Sequence, residues 1–175
     1  MAPVVFETAR LIARRLAPED REAMLAVYGD AEAMRWVGDG TPLTAEECEQ
    51  WLAVTADNYR QRGYGLFALV ERATGAVVGF GGLVHPGGQA EVEVKYALLR
   101  PVWGRGYATE VARALLDYGA AAHGLQEVLA TVAPDNHASQ RVLAKAGMRR
   151  GALRQDADGS QTQLFHWRPP GGDAG

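Results

Sequence analysis

Cysteine occurs once in the 175 residues, at Cys48, which excludes an internal disulfide and a cysteine-based metal site. The four histidines, His85, His123, His137 and His166, stand far apart without ligand spacing, so no metal is implied. Lysine appears only at Lys95 and Lys145, and the 18 basic residues are scattered among 21 acidic ones for a net charge of −3. Such a balance predicts no electrostatic attraction to nucleic acid or to an anionic membrane. No apolar run approaches the length of a membrane span, and the opening MAPVVFETAR lacks the basic and then apolar layout of a signal peptide. A cytoplasmic location is expected.

What the chain does have is 47% hydrophobic and 22% charged residues, enough for one globular domain with a real core. No internal repeat or Pro/Gly/Ser linker divides it, so a single domain is expected over residues 1–169, with residues 170–175 as a mobile tail. Cys48 lies in EECEQWL, a helical stretch without a His or Asp motif nearby, and is read as packing rather than as a nucleophile.

Leu11 and Ala13 alternate with Arg10, Ile12 and Arg14, predicting a first strand over Thr8 to Arg15, followed by helices near Pro18 to Tyr28 and Thr44 to Arg60. Thr44 with Glu47 three residues on is a capping-box pattern. Two strands, Tyr64 to Glu71 and Ala76 to Val84, flank the turn Arg72-Ala73-Thr74-Gly75, and a third, Ala90 to Leu99, completes a meander. Then come helix Tyr107 to Ala122, strand Glu127 to Val132, helix His137 to Ala146, and strands near Met148 to Arg154 and Gln161 to Arg168. Strands first and strand-helix units afterwards predict an α/β fold, a mixed sheet of about seven strands with helices on both faces.

The most informative stretch is Pro101-Val102-Trp103-Gly104-Arg105-Gly106-Tyr107-Ala108-Thr109-Glu110, a glycine-containing turn from a strand into an amphipathic helix. Unpaired N–H groups and the positive end of the helix dipole suit a phosphate there, and glycine lets the ligand reach the main chain. A tight turn alone is the competing reading. The residue three after Gly106 is Thr109, which excludes a Gly-x-Gly-x-x-Gly dinucleotide loop, and no Gly-Lys-Ser/Thr occurs. Asn136-His137-Ala138-Ser139 opens a later helix: Asn136 suits an N-cap, while Ser139 falls in register with Val142, Leu143 and Ala146 on an apolar stripe. A hydroxyl so placed needs a partner, either a backbone carbonyl one turn back or a ligand.

With ETARLIARRL at the start, EVEVKYALLRP, WGRGYATEVARALLDYG and TVAPDNHASQRVLAKAGM in that order, the chain resembles the GCN5-related N-acetyltransferases, the GNAT superfamily, in particular its ribosomal-protein N-terminal acetyltransferase (RimJ/RimL-type) group. The resemblance covers almost the whole chain and implies a strongly twisted mixed sheet splayed into a V. It implies acetyl-coenzyme A as cosubstrate, with Ala97, Leu98 and Leu99 along its pantetheine arm and Asn136 bonding the arm. Gly104, Arg105, Gly106, Tyr107, Ala108 and Thr109 would cradle the pyrophosphate. Pro101 stands where the family usually has Gln or Arg, a small departure if binding is through backbone groups.

By the same resemblance the acceptor is a primary amine, on a protein N-terminus or a small molecule, that attacks the thioester directly. A backbone N–H near Ala97 or Leu98 would serve the oxyanion. Relatives often carry a Tyr acid one turn after Ser139, where this chain has Leu143, so Ser139 is the expected substitute. Glu93 matches the family's acidic position and would act as base through a water, with Glu91 the competitor; a strand carboxylate pairing with Lys95 is the plainer reading of Glu93. The missing Tyr keeps open a non-catalytic acyl-coenzyme A binding module. Acceptor choice would lie between Ala31 and Arg60 and in the last hairpin, with Trp36 and Trp51 either lining that pocket or packing. Family habit implies a homodimer.

Overall fold

The computed structural model describes residues 2–37 and 40–171, so most of the expected tail, residues 172–175, lies outside the described residues. Among the described residues eight strands form one sheet in the order β1-β2-β3-β4-β5-β6-β8-β7. They are β1 Val4–Glu7, β2 Leu11–Arg15, β3 Leu66–Glu71, β4 Val77–Val84, β5 Glu93–Leu98, β6 Val128–Val132, β7 Arg149–Gln155 and β8 Gln161–Trp167. Among the described residues five α-helices accompany them: α1 Arg21–Tyr28, α2 Ala31–Met34, α3 Ala45–Arg62, α4 Tyr107–His123 and α5 His137–Lys145.

One strand more than expected is present, because the predicted strand over Thr8 to Arg15 resolves into a turn and β2, with β1 before it. Thr8 closes that turn by donating its N–H to the Leu11 carbonyl at 2.8 Å, and β1 folds back antiparallel on β2. The short helix α2, started by Asp30, whose side chain accepts from Glu32 N–H, is not expected from the sequence either; the remaining elements match the sequence reading to within a few residues. The capping box forms: Thr44 Oγ1 accepts from Glu47 N–H, and Glu47 Oε1 accepts from Thr44 N–H, both at 3.2 Å.

Strand β3 is buried on both faces, which its unbroken Leu-Phe-Ala-Leu-Val allows. Phe67 and Leu69 face a core shared with Val111 and Leu115 of α4 and Leu143 of α5. Leu66 and Ala68 face a second core, with Phe80, Met24 and Val27 of α1 and Cys48 of α3. Cys48 is fully buried in that packing, as its sequence context predicts. Helix α4 lies close on the sheet because Gly119 has no side chain; a Cβ there would come within 2.9 Å of both Leu83 and Leu125.

The two halves of the sheet meet at a single point. Strands β1 to β5 are antiparallel neighbours, whereas β5 and β6 run parallel and pair only at Glu93 and Leu129, where Leu129 N–H reaches the Val92 carbonyl at 2.8 Å. Beyond Glu93 no residue of β5 pairs with β6 among the described residues. The strands part there, leaving one edge of β5 open, and this is the V of the fold.

Candidate active site

The open edge of β5 is defined by its ladder with β4. Leu99 donates its N–H to Val78 at 2.8 Å, and the Ala97 carbonyl lies against Gly79. Because antiparallel main-chain groups alternate between the two sides of a strand, those of Tyr96 and Leu98 turn toward the V. Of the three strand residues expected along a ligand arm, Leu98 therefore directs its main-chain N–H into the opening, while Ala97 and Leu99 direct theirs to β4. The Leu98 carbonyl is already capped by Trp103, whose indole N–H donates to it at 2.8 Å.

After Leu98 the chain makes a short 3₁₀ turn over Arg100–Val102 and enters α4 through two glycines in the left-handed region, Gly104 at φ +79° and Gly106 at φ +83°. Gly106 is the N-cap and provides no side-chain cap, so the first N–H groups of α4 have no protein acceptor of that kind. Open space surrounds the missing Cβ of Gly104, and that of Gly106 would meet only the end of the Arg10 side chain, at 3.4 Å. Uncapped N–H groups at a helix start, behind glycines that carry no Cβ, can receive an anion. The expected residues Arg105, Tyr107, Ala108 and Thr109 all belong to this turn.

Sequence reasoning missed what braces the cradle. Arg10 donates to the Arg105 carbonyl at 2.8 Å, pairs with Glu110 at 2.8 Å, and stacks its guanidinium 4.4 Å from the centre of the Tyr107 ring. From below, Glu71 at the end of β3 accepts from Tyr107 Oη at 2.6 Å and from Thr74 at 2.9 Å. These hydrogen bonds, Tyr107 first, with Arg105 nearby, hold the Glu71 carboxyl below its ordinary pKa.

At the vertex of the V, Glu93 is buried rather than exposed. Thr131 of β6 donates to it at 2.9 Å, Gln89 at 2.8 Å and Lys95 at 3.0 Å, and Lys95 also reaches Thr131 at 3.1 Å. Burial alone would raise the Glu93 carboxyl; the Lys95 ammonium, with the hydroxyl and amide donors, outweighs it and keeps the group below its usual range. The pairing with Lys95 expected from their spacing is thus present. Glu91 is exposed and outside this cluster.

On the opposite face of β5, Tyr96 meets Ser139 of α5, Oη to Oγ, at 2.7 Å. Faces are assigned by packing: Tyr96 joins the core that contains Val94, Leu98 and Leu143, whereas Ala97 joins the core of α1 and α3. Burial pushes the Tyr96 phenol up to about 12 against a smaller opposing effect of Ser139, so it remains protonated at neutral pH. The partner expected for Ser139, a carbonyl or a ligand, is in the structure this second hydroxyl. Asn136 acts as the expected N-cap, its Oδ1 accepting the Ser139 N–H at 3.2 Å. Leu143 is 2% exposed and purely core.

Toward α1 and α3, Trp51 packs edge-on against Tyr28 with ring centres 5.0 Å apart. Trp36 is 42% exposed, with the Arg35 guanidinium 4.9 Å from its ring. Among the described residues no helix is long and apolar enough to cross a membrane.

Residues 10–149 match the family described as Acetyltransferase (GNAT) domain. The uncharacterized N-acetyltransferase YoaA of Bacillus subtilis (strain 168) is 31% identical over 154 residues, covering 86% of each chain. An acetyltransferase of Agrobacterium tumefaciens (strain C58) superposes with a TM-score of 0.78 at 25% identity, covering 97% of this chain and 96% of that one. RimL, a ribosomal L7/L12 alpha-N-protein acetyltransferase solved in complex with coenzyme A, shares the fold at a TM-score of 0.77 and 15% identity, covering 95% of this chain and 98% of its own.

Proposed function

Because the chain belongs to the GNAT family of acetyltransferases, we propose that it transfers the acetyl group of acetyl-coenzyme A to a primary amine by direct attack, with no covalent enzyme intermediate. One observation carries this reading: the open edge of β5 runs directly into the uncapped glycine turn of α4, which offers an extended ligand main-chain groups for an arm and a cradle for its phosphates.

In this reading Gly104, Arg105, Gly106, Tyr107, Ala108 and Thr109 receive the pyrophosphate. Leu98, flanked by Ala97 and Leu99, lines the arm, and its N–H is the oxyanion donor. Asn136, with its Oδ1 engaged, meets the arm through its amide nitrogen. The acceptor approaches from the face carrying Glu93 and Lys95. A carboxylate held anionic by three donors is a weak base, so Glu93 orders a water and attracts an ammonium more than it deprotonates one.

That weakness bears on the acceptor. An N-terminal amine with a pKa of about 8 is neutral in roughly a tenth of molecules at pH 7, whereas a lysine near 10.4 is neutral in fewer than about one in a thousand. A site without a strong base therefore favours α-amino groups, on a protein N-terminus or a small molecule.

The buried Leu143 favours the second reading, a non-catalytic acyl-coenzyme A binding module. A titration with acetyl-coenzyme A followed by an amine screen read by thiol release separates the two. Binding with release supports transfer, binding without release across α-amines and lysines supports the module, and no binding at millimolar ligand overturns both.

A further inference from the structure

The hydroxyl pair at the V has a property that neither residue has alone. Tyr96 and Ser139 come from β5 and α5, and the 2.7 Å contact between them is the only hydrogen bond that either hydroxyl makes among the described residues. Ser139 does not bond back to a carbonyl of its own helix, the usual recourse of a half-buried serine. Two hydroxyls carry two hydrogens and their mutual contact uses one. Whichever donates, one O–H remains on the pair, on the α5 side of β5 where that strand has parted from β6.

We propose that Tyr96 and Ser139 form a single, internally redundant hydrogen-bond donor for the sulfur that departs during acetyl transfer, so that either hydroxyl serves when the other is removed. The inference rests on the acetyl-coenzyme A reading above and extends it. Tyr96 directly precedes the strand residues that line the arm, and Ser139 stands in the first turn of the nine-residue α5, whose positive end also favours a developing anion. The tyrosine absent at position 143 is replaced by one from a different element.

The chemistry needs a donor rather than a transferred proton. The amine nitrogen forms the C–N bond at the thioester carbon, the C–S bond breaks with its electron pair going to sulfur, and the ammonium proton leaves to water on the Glu93 side. Coenzyme A sulfur departs as a thiolate with a thiol pKa near ~8.5, roughly three units or more below a phenol held at about 12, so Tyr96 keeps its proton. The better acid donates within the pair, leaving the Ser139 O–H for the sulfur. Without Ser139 the Tyr96 O–H is free to take that place.

Redundancy has a distinctive signature. Tyr96→Phe and Ser139→Ala should each lower the single-turnover rate with the best amine by only about 2- to 5-fold, since one donor survives in each. The double variant, which loses the last donor to a charged sulfur, should fall by roughly 100-fold or more, beyond the product of the single losses, which is at most about 25-fold. Acetyl-coenzyme A affinity should change little, because a thioester sulfur is a poor acceptor. A second measurement does not depend on an acceptor: coenzyme A bound to the wild-type protein should ionise at lower pH than free coenzyme A, read by thiolate absorbance in the ultraviolet. Both single variants should keep that shift and the double variant should lose it, a change that a packing role would not produce.

Losses that multiply independently, or a bound thiol that ionises at or above the free value in the wild type, overturn the inference while leaving acetyl transfer intact. A protein that binds no acetyl-coenzyme A overturns the proposed function and this inference together. If the double variant fails to fold, the wild-type and single-variant titrations still decide, because a shift absent from the wild type or lost in either single variant overturns the inference.

Discussion

The Glu110 carboxylate receives the Arg10 side chain at 2.8 Å and the Arg10 main-chain N–H at 3.0 Å, fastening the turn between β1 and β2 to the first turn of α4. With the Arg10 contact to the Arg105 carbonyl, one side chain fixes both sides of the glycine turn. Arg10→Ala should weaken acetyl-coenzyme A binding by about 2- to 5-fold, the scale of a half-exposed ion pair, with little effect on turnover at saturation. Arg10→Lys should recover little, because an ammonium cannot form the same fork. Calorimetric affinities for the three proteins test this, and unchanged affinity in Arg10→Ala would remove the bracing role.

Gly106 at φ +83° stands where an L side chain is strained and, in the proposed reading, where the pyrophosphate meets the main chain. Gly106→Val should cost roughly 1–2 kcal/mol of stability through the left-handed backbone and should reduce coenzyme A binding more than tenfold. Gly104→Ala, in open space but at φ +79°, should carry a similar backbone cost with a smaller loss of binding. Thermal melts beside titrations separate the two effects; a Gly106→Val protein that folds and binds normally would make the loop only a turn.

Asp20 is buried at 4% exposure and bonded twice to Arg14, at 2.8 Å in each contact. Burial pushes its carboxyl up, but the Arg14 hydrogen bonds and the Ala17 N–H prevail, so folding lowers the pKa. A carboxyl lowered by folding adds stability that is complete above its unfolded value, about 4, and is lost as pH falls through the folded value. Glu93 acts in the same direction. Stability should therefore be level from neutrality to about pH 5 and decline below it. Asp20→Asn should lose roughly 3 kcal/mol at pH 7, by leaving Arg14 without its charge partner, and should flatten the acid limb in denaturant melts.

Restoring the family tyrosine should fail. Leu143 is fully packed among core residues, and Leu143→Tyr adds a ring and a hydroxyl where there is no room. The variant should lose about 1–3 kcal/mol and gain no activity. A faster, equally stable Leu143→Tyr would show that the site lacks a donor and would count against the pair at Tyr96 and Ser139.

Much of this was legible before the structure. Ser139 is half-buried toward the V because helical spacing places it there, and Glu93 meets Lys95 because residues two apart share a strand face. The pairing of Tyr96 with Ser139 was not legible: it joins residues 43 apart, across a gap whose width depends on where β5 and β6 stop pairing. Nor was the burial of Glu93, since its donors Thr131 and Gln89 come from another strand and a loop. Strand β1 escaped notice because Val-Val-Phe-Glu is short and only a three-residue turn separates it from β2.

The single bridge between Glu93 and Leu129 makes the sheet a slot with two entrances. In the proposed reading the amine enters on the side of Glu93 and Lys95 and the cofactor along the glycine turn of α4, so donor and acceptor need not pass through the same doorway. Both can be resident at once, and initial-rate plots at varied acetyl-coenzyme A and amine should intersect rather than run parallel. Product coenzyme A should compete with acetyl-coenzyme A while remaining noncompetitive toward the amine. A fold that stops pairing one residue earlier or later would move the slot, so the length of one two-stranded contact sets where two substrates can meet.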